Sequence, residues 1–297
     1  MIKYNSNRDN MRISASSTNA VCIACLVLVV VVVAITILLL IVKKRHPKPC
    51  KPDTKEQTNV YSNYAMVIVE PRKHHLLQTV LENYSKHMEP YWDIYVFHGK
   101  SHAKFAKDAA ANVLTQRNVY FQPLQTNNMK SSSEYNQLLK SKEFWDKVHA
   151  ENILVIQTDS AVCANSTFSI QNFTQYDYIG CSYNDKAIGK DGTWGETHSF
   201  YGVGGLSFRK KSFMLKCIME NDNDAKNTSI CEDVFFSNCA ENSAAKPESA
   251  DVLASFCTQD TFARKSWGVH KPTQMRNEKQ RSELFEYCPE ASVLLSA

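Results

Sequence analysis

Apolar positions along this chain gather into short unbroken runs, separated by polar segments with helical spacing. Residues 65–69 (AMVIV), 93–97 (DIYVF), 119–121 (VYF) and 153–156 (ILVI) are rich in β-branched and aromatic side chains. Continuous runs of this kind suit strands buried on both faces of a parallel sheet. Between them Leu76, Leu77, Val80, Leu81 and Tyr84 recur at helical spacing. Residues 105–114 read as a second helix, and residues 135–148 (YNQLLKSKEFWDKV) as further helical segments. The alternation predicts βαβ units, hence an α/β, Rossmann-like domain with a mainly parallel central sheet flanked by helices.

The second half has a different texture. Seven of the nine glycines lie between Gly180 and Gly205, around a segment, residues 185–201, that fits neither period. A loop this long inside a compact domain is usually functional or disordered, and its Trp194, His198, Phe200 and Tyr201 argue against simple disorder. Residues 208–219 read as a basic amphipathic helix. Ser229 and Glu232 have the spacing of a capping box, which predicts a helix start near Glu232.

Residues 21–42 carry no charge, Pro or Gly. At about 1.5 Å per residue they reach roughly 33 Å, enough for a hydrocarbon core of about 30 Å. The apolar region of a cleaved signal peptide is shorter, about 7–15 residues. The expectation is one transmembrane helix after a tail (1–20) and before a Lys/Pro-rich stalk (43–63). Orientation signals conflict. Lys43, Lys44, Arg45, Lys48 and Lys51 place the C-terminal side in the cytoplasm by the positive-inside rule. A short tail before a large C-terminal domain is instead a type II layout, and sequons at Asn83, Asn165, Asn172 and Asn227 suit a lumenal domain. The reading leans to the secretory-pathway lumen or the outside.

Of ten cysteines, Cys22 and Cys25 lie in the span, and none shows zinc-site spacing. The others permit one or two disulfides in an extracytoplasmic domain, or buried thiols. The net charge of +4 gives no case for nucleic acid. The basic cluster beside the span suits anionic lipid headgroups.

The run at 153–156 ends abruptly in Gln157-Thr158-Asp159-Ser160. Ligands of parallel sheets bind outside the carboxyl ends of strands, so Asp159 stands where a metal ligand for a nucleotide diphosphate belongs. An Asp there also serves simply to open a turn. Phosphate-loop chemistry is excluded, because the Gly required five places before Gly99 is Ile94. A dinucleotide fingerprint fails at Ser207, and no Gly-x-Ser-x-Gly elbow occurs. Sugar transfer from a nucleotide diphosphate needs a divalent cation on oxygen or imidazole ligands, and an inverting reaction needs a base for the acceptor hydroxyl. Asp159 and His270 offer the ligands and Asp233 the base. A His before Lys-Pro is also a common turn residue, and paired acids at a helix start complement the macrodipole without any catalysis.

In their order these motifs resemble glycosyltransferases of the GT-A fold, in particular a GT-A-like family known only as a domain of unknown function. The resemblance runs through residues 67–72 (VIVEPR), 135–145 (YNQLLKSKEFW), 154–160 (LVIQTDS), 176–180 (YDYIG), 202–209 (GVGGLSFR), 231–236 (CEDVFF) and 267–272 (WGVHKP). It covers residues 64–275 and leaves 276–297 as a tail. It implies Mn2+ or Mg2+ on Asp159 and His270, and a nucleotide-sugar donor against Glu70, Arg72, Gln157 and Thr158. It also implies a glycan, protein or lipid acceptor near Trp194, Gly204, Gly205 and Glu232, with Asp233 as base. Gln157 stands where such enzymes carry the first Asp of Asp-x-Asp, and a neutral amide is a poorer ligand for a hard cation. The alternative implied is a GT-A-like binding or scaffold protein at the membrane that has lost catalysis.

Overall fold

The computed structural model describes residues 61–182, 202–260, 262 and 265–297. The expected span at 21–42, the tail before it, all but the end of the stalk, and Trp194 lie outside the described residues. Among the described residues no helix is long and apolar enough to cross a membrane.

Four strands match the four apolar runs: β1 (Tyr64–Glu70), β2 (Asp93–His98), β3 (Val119–Pro123) and β4 (Asn152–Ile156). They pair in parallel, with Ala65 opposite Asp93 on one side and Ile153 on the other. Every residue of β2 and β4 is buried, and so is β1 from Ala65 onward, which is why these segments read as unbroken apolar runs. The crossovers carry α1 (Leu77–His87), α2 (Ala103–Ala109), α3 (Ser132–Leu139) and α4 (Lys142–Trp145). The α1 helix buries Leu77, Val80, Leu81 and Tyr84, the face its spacing predicts.

Three short strands were not legible: β5 (Ser160–Val162), β8 (Cys257–Thr258) and β9 (Gly268–His270). They form a separate sheet in the order β5-β9-β8. Two further strands, β6 (Tyr178–Ser182) and β7 (Gly202–Lys210), complete the main sheet in the order β3-β2-β1-β4-β7-β6. Because β7 runs antiparallel to both neighbours, the sheet is mixed but mostly parallel.

The β7 strand corrects the reading of the Gly-rich region. Residues 208–210 belong to it, and the helix expected from 208 starts later, as α5 (Lys211–Glu220). Glycine at 202 reflects close backbone packing, since a Cβ there would lie 2.7 Å from the Gly180 nitrogen. After α6 (Asp222–Lys226) comes α7 (Glu232–Ala240), whose N-cap is Cys231 with no side-chain cap bond. The capping box on Ser229 therefore does not form, and Glu232 is used elsewhere. Buried Lys140 secures the approach to α7 by donating to the carbonyls of Asn227 (2.6 Å) and Ile230 (2.7 Å).

Beyond α8 (Ala250–Phe256), residues 276–297 fold into the same unit as the rest of the domain. They form α9 (Glu278–Tyr287) and a 3-10 turn that bury Leu284, Tyr287, Ala291 and Leu294 within the unit Asn59–Ala297. Cys288 of this segment is bonded to Cys163, and Cys181 of β6 to Cys257 of β8. Among the described residues Cys217, Cys231 and Cys239 are thiols.

Candidate functional site

The carboxyl ends of β1 and β4 open onto a cavity of about 320 Å³. Five of the expected residues line it: Glu70, Arg72, Gln157, Thr158 and Asp159. Asn128, Met129, Ser131, Ser132, Tyr135 and Lys271 complete much of the wall. A larger space of about 720 Å³ lies elsewhere, between α5 and α7.

On the β1 side, buried Glu70 holds Arg72 at two points. Arg72 donates from Nε to Oε1 (2.9 Å) and from Nη2 to Oε2 (2.8 Å), and its backbone N–H also reaches Oε1 (2.9 Å). Thr158 donates its hydroxyl to Glu70 Oε2 at 3.4 Å. The Arg72 side chain remains 55% exposed, a fixed cation on the cavity wall.

On the β4 side, the chain turns sharply at residues 157–160, and Ser160 locks the turn. Its Oγ donates to the Gln157 carbonyl (2.8 Å) and accepts from the Gln157 N–H (3.2 Å) and the Tyr84 hydroxyl (2.9 Å). The small sheet then does what no local pattern reveals. Ser160 of β5 pairs with His270 of β9, and the Lys271 N–H donates to the Asp159 carbonyl at 2.9 Å. The register sets His270 Nε2 at 3.3 Å from Asp159 Oδ1 and 3.2 Å from Gln157 Oε1.

The hydrogen-bond network assigns the tautomer of buried His270. Gln259 donates its amide N–H to Gln274 Oε1 (2.9 Å), which turns its own Oε1 toward His270 Nδ1 (2.7 Å). Nδ1 therefore carries a proton. Nε2 faces two oxygens. Asp159 Oδ1 is buried and has no hydrogen-bond partner. Burial pushes the Asp159 carboxyl up, but the contact with His270, that ring's charge and Lys271 together outweigh it and hold the carboxyl below its ordinary value. The arrangement of Nε2 against two oxygens fits either a second proton on His270 or a divalent cation among the three atoms. In donor type, one carboxylate oxygen, one imidazole nitrogen and one amide oxygen suit the cation. Among the described residues no three His, Cys, Asp or Glu side chains gather as a metal site, and the third donor atom of this cluster is the Gln157 amide oxygen.

Gly205 of β7 backs this cluster. A Cβ there would collide with the His270 ring and lie 2.7 Å from Gln157 Oε1. One residue earlier, a Cβ on Gly204 would collide with Glu232 Oε1. Glycine is thus required twice in succession, between two packed polar clusters.

The second cluster corrects the role expected of Glu232. Both its oxygens are taken by fully buried Arg209, through Nη1 (2.7 Å) and Nη2 (3.0 Å). Arg209 also donates to the Gly204 carbonyl (3.2 Å) and stacks its guanidinium on Tyr178 and Phe236. Burial pushes the Glu232 carboxyl up, and Arg209 opposes it. Glu232 is a support beneath Gly204, not a group open to an acceptor. Asp233 is half-buried, accepts from the Gly204 N–H at 3.4 Å, and does not line the 320 Å³ cavity. Tyr135 lies between the clusters, its buried hydroxyl without a hydrogen-bond partner. Burial, and then the charge of Glu232, push that hydroxyl up.

Residues 118–271 match the model of a family described as a protein of unknown function, DUF5672. The chain belongs to that family. The match holds β3, β4, β7, α7 and all of the Gln157, Asp159 and His270 cluster, but not Glu70 and Arg72. No curated protein matches the chain. Among solved structures it is similar to the Mn/GDP form of core-mannan synthase A (CmsA/Ktr4) from Aspergillus fumigatus, at 8% identity and a TM-score of 0.44. That likeness covers 65% of this chain and 76% of the other.

Sequence reasoning missed Arg209, Gln259, Lys271 and Tyr135. Arg209 was hidden in a presumed amphipathic helix. Lys271 next to His270 was the one available signal for a second cation at the cavity.

Proposed function

We propose that this DUF5672 chain is a membrane-anchored, metal-dependent glycosyltransferase of the GT-A type. It would move a sugar from a nucleotide-diphosphate donor, UDP-linked by preference, to a hydroxyl on a glycan, protein or lipid. The observation that carries the reading is the meeting of buried His270 with Asp159 and Gln157, two residues of a cavity wall that also includes Arg72 and Lys271. Mn2+ or Mg2+ held by those three residues would neutralise charge on a departing diphosphate.

The chain's own groups divide the remaining work. Arg72, fixed by Glu70, and Lys271 supply cations for phosphate oxygens. Ser131 and Ser132 start α3 at the cavity wall, so its first N–H groups and dipole favour an anion. Gln259 keeps the His270 lone pair on Nε2. Asp233 would take the acceptor's proton in an inverting reaction.

The remaining parts of the reading are an anchor at residues 21–42, a stalk, and a transferase domain from residue 64 that faces the secretory-pathway lumen or the outside. Two disulfides support an oxidising compartment. A second reading, a sugar- or nucleotide-binding scaffold without catalysis, draws on one observation: the third donor is a neutral amide. A thermal-shift screen of the purified chain against nucleotide sugars, with and without Mn2+, separates them when followed by assay of sugar release. Metal-dependent release of UDP supports the transferase, metal-independent binding without turnover supports the scaffold, and no shift with any nucleotide removes both.

A further inference from the structure

The space between α5 and α7 lies apart from the candidate active site, and it holds two thiols. Cys217 on α5 is buried, Cys239 on α7 is half-buried, and both line the 720 Å³ cavity. One side chain ties them together. Asn221 Nδ2 donates to the Cys217 carbonyl at 3.1 Å and contacts Cys239 Sγ at 3.6 Å. We propose that Cys217 and Cys239 are an oxidisable pair that closes into a further disulfide, stapling α5 to the far end of the helix that carries Glu232 and Asp233.

Three observations support the pairing. The same unit already holds Cys163–Cys288 and Cys181–Cys257, so conditions that give the native fold oxidise thiols. The Cys217 thiol is pushed up first by its hydrogen bond with Cys239 and then by burial, in keeping with both lining one cavity beside Asn221. Cys231 is excluded as a partner of Cys239 by geometry. It caps the opposite end of α7 from Cys239, more than two turns or about 12 Å along the axis, beyond the reach of a disulfide.

Exposure sets the order of the chemistry. Cys239, open to the cavity, attacks one sulfur of a low-molecular-weight disulfide as its thiolate. A mixed disulfide forms and one small thiol leaves. Cys217 then attacks Cys239 Sγ, the Cys217–Cys239 bond forms and the second small thiol leaves. The protein loses two protons and two electrons, and the small disulfide is reduced to two thiols.

The test uses the full chain in detergent, equilibrated in oxidised and reduced glutathione until Cys163–Cys288 and Cys181–Cys257 are closed. The protein is then denatured in N-ethylmaleimide, digested without reduction and mapped by mass spectrometry. The expected result is one peptide pair joined through Cys217 and Cys239, with maleimide on Cys231. Maleimide on both Cys217 and Cys239 in chains whose other two bridges are closed would overturn the proposal. Cys231→Ser should leave the joined pair intact, and its loss in that variant would count equally against the assignment. Cys217→Ser should make Cys239 fully labelled.

Discussion

Ser160 and His270 face each other across the β5–β9 ladder, and this pairing places the Asp159 carboxylate 3.3 Å from the His270 ring. Neither partner depends on a loop tip. Asp159 follows a strand buried along its whole length, and His270 ends a strand clamped between β5 and β8. The cluster is preorganised, so removing one donor should abolish function without loosening the fold.

Gly205→Ala tests how tightly the cluster is built. The added methyl collides with the His270 imidazole, and overpacking of this kind costs about 1–3 kcal/mol. Mn2+-dependent nucleotide binding should be lost while a cooperative, slightly weakened urea transition remains. Wild-type affinity in the variant would show that His270 is not held where binding needs it.

Gln157→Glu asks whether the amide is a ligand. A carboxylate of the same length adds one negative charge beside Asp159, and cation affinity should rise on the order of tenfold. Isothermal titration with Mn2+ reads this directly. Affinity no higher than wild type would place residue 157 outside the coordination shell.

Arg209 and Glu232 form a buried, bidentate pair under Gly204. Arg209→Met strands the carboxylate and should cost about 3–5 kcal/mol in urea denaturation. The double variant Arg209→Met/Glu232→Leu should recover much of that loss. Equal destabilisation in single and double variants would mean that the guanidinium matters through its stacking on Tyr178 and Phe236.

Asp233→Asn separates chemistry from binding. In an inverting transferase, turnover should fall by about two to four orders of magnitude with nucleotide affinity unchanged. Turnover at the wild-type level would leave Asp233 with a structural role, accepting from the Gly204 and Val234 N–H groups.

What could be read from the sequence followed from period and burial. β1, β2 and β4 are buried on both faces and announce themselves, and α1 shows its inward stripe. Residues 202–207 of strand β7 show no period, because glycine adds no side chain to a pattern, and 208–210 read as helix, although Gly202, Gly204 and Gly205 are there because neighbours leave no room. Strands β5, β8 and β9 are two or three residues long, too short to show a period. Asp159 and His270 were legible as candidates, but their meeting depends on that small sheet. Glu232 was misassigned because its partner, Arg209, lies on a strand read as a helix. Trp194 and the span at 21–42 fall outside the described residues.

The most direct test is calorimetric titration of UDP into the purified chain with Mn2+, for the wild type and Asp159→Ala. The account predicts binding to the wild type that disappears on chelation, and none to Asp159→Ala at the same protein concentration, with thermal unfolding still cooperative. Equal, Mn2+-dependent binding by both proteins would contradict it.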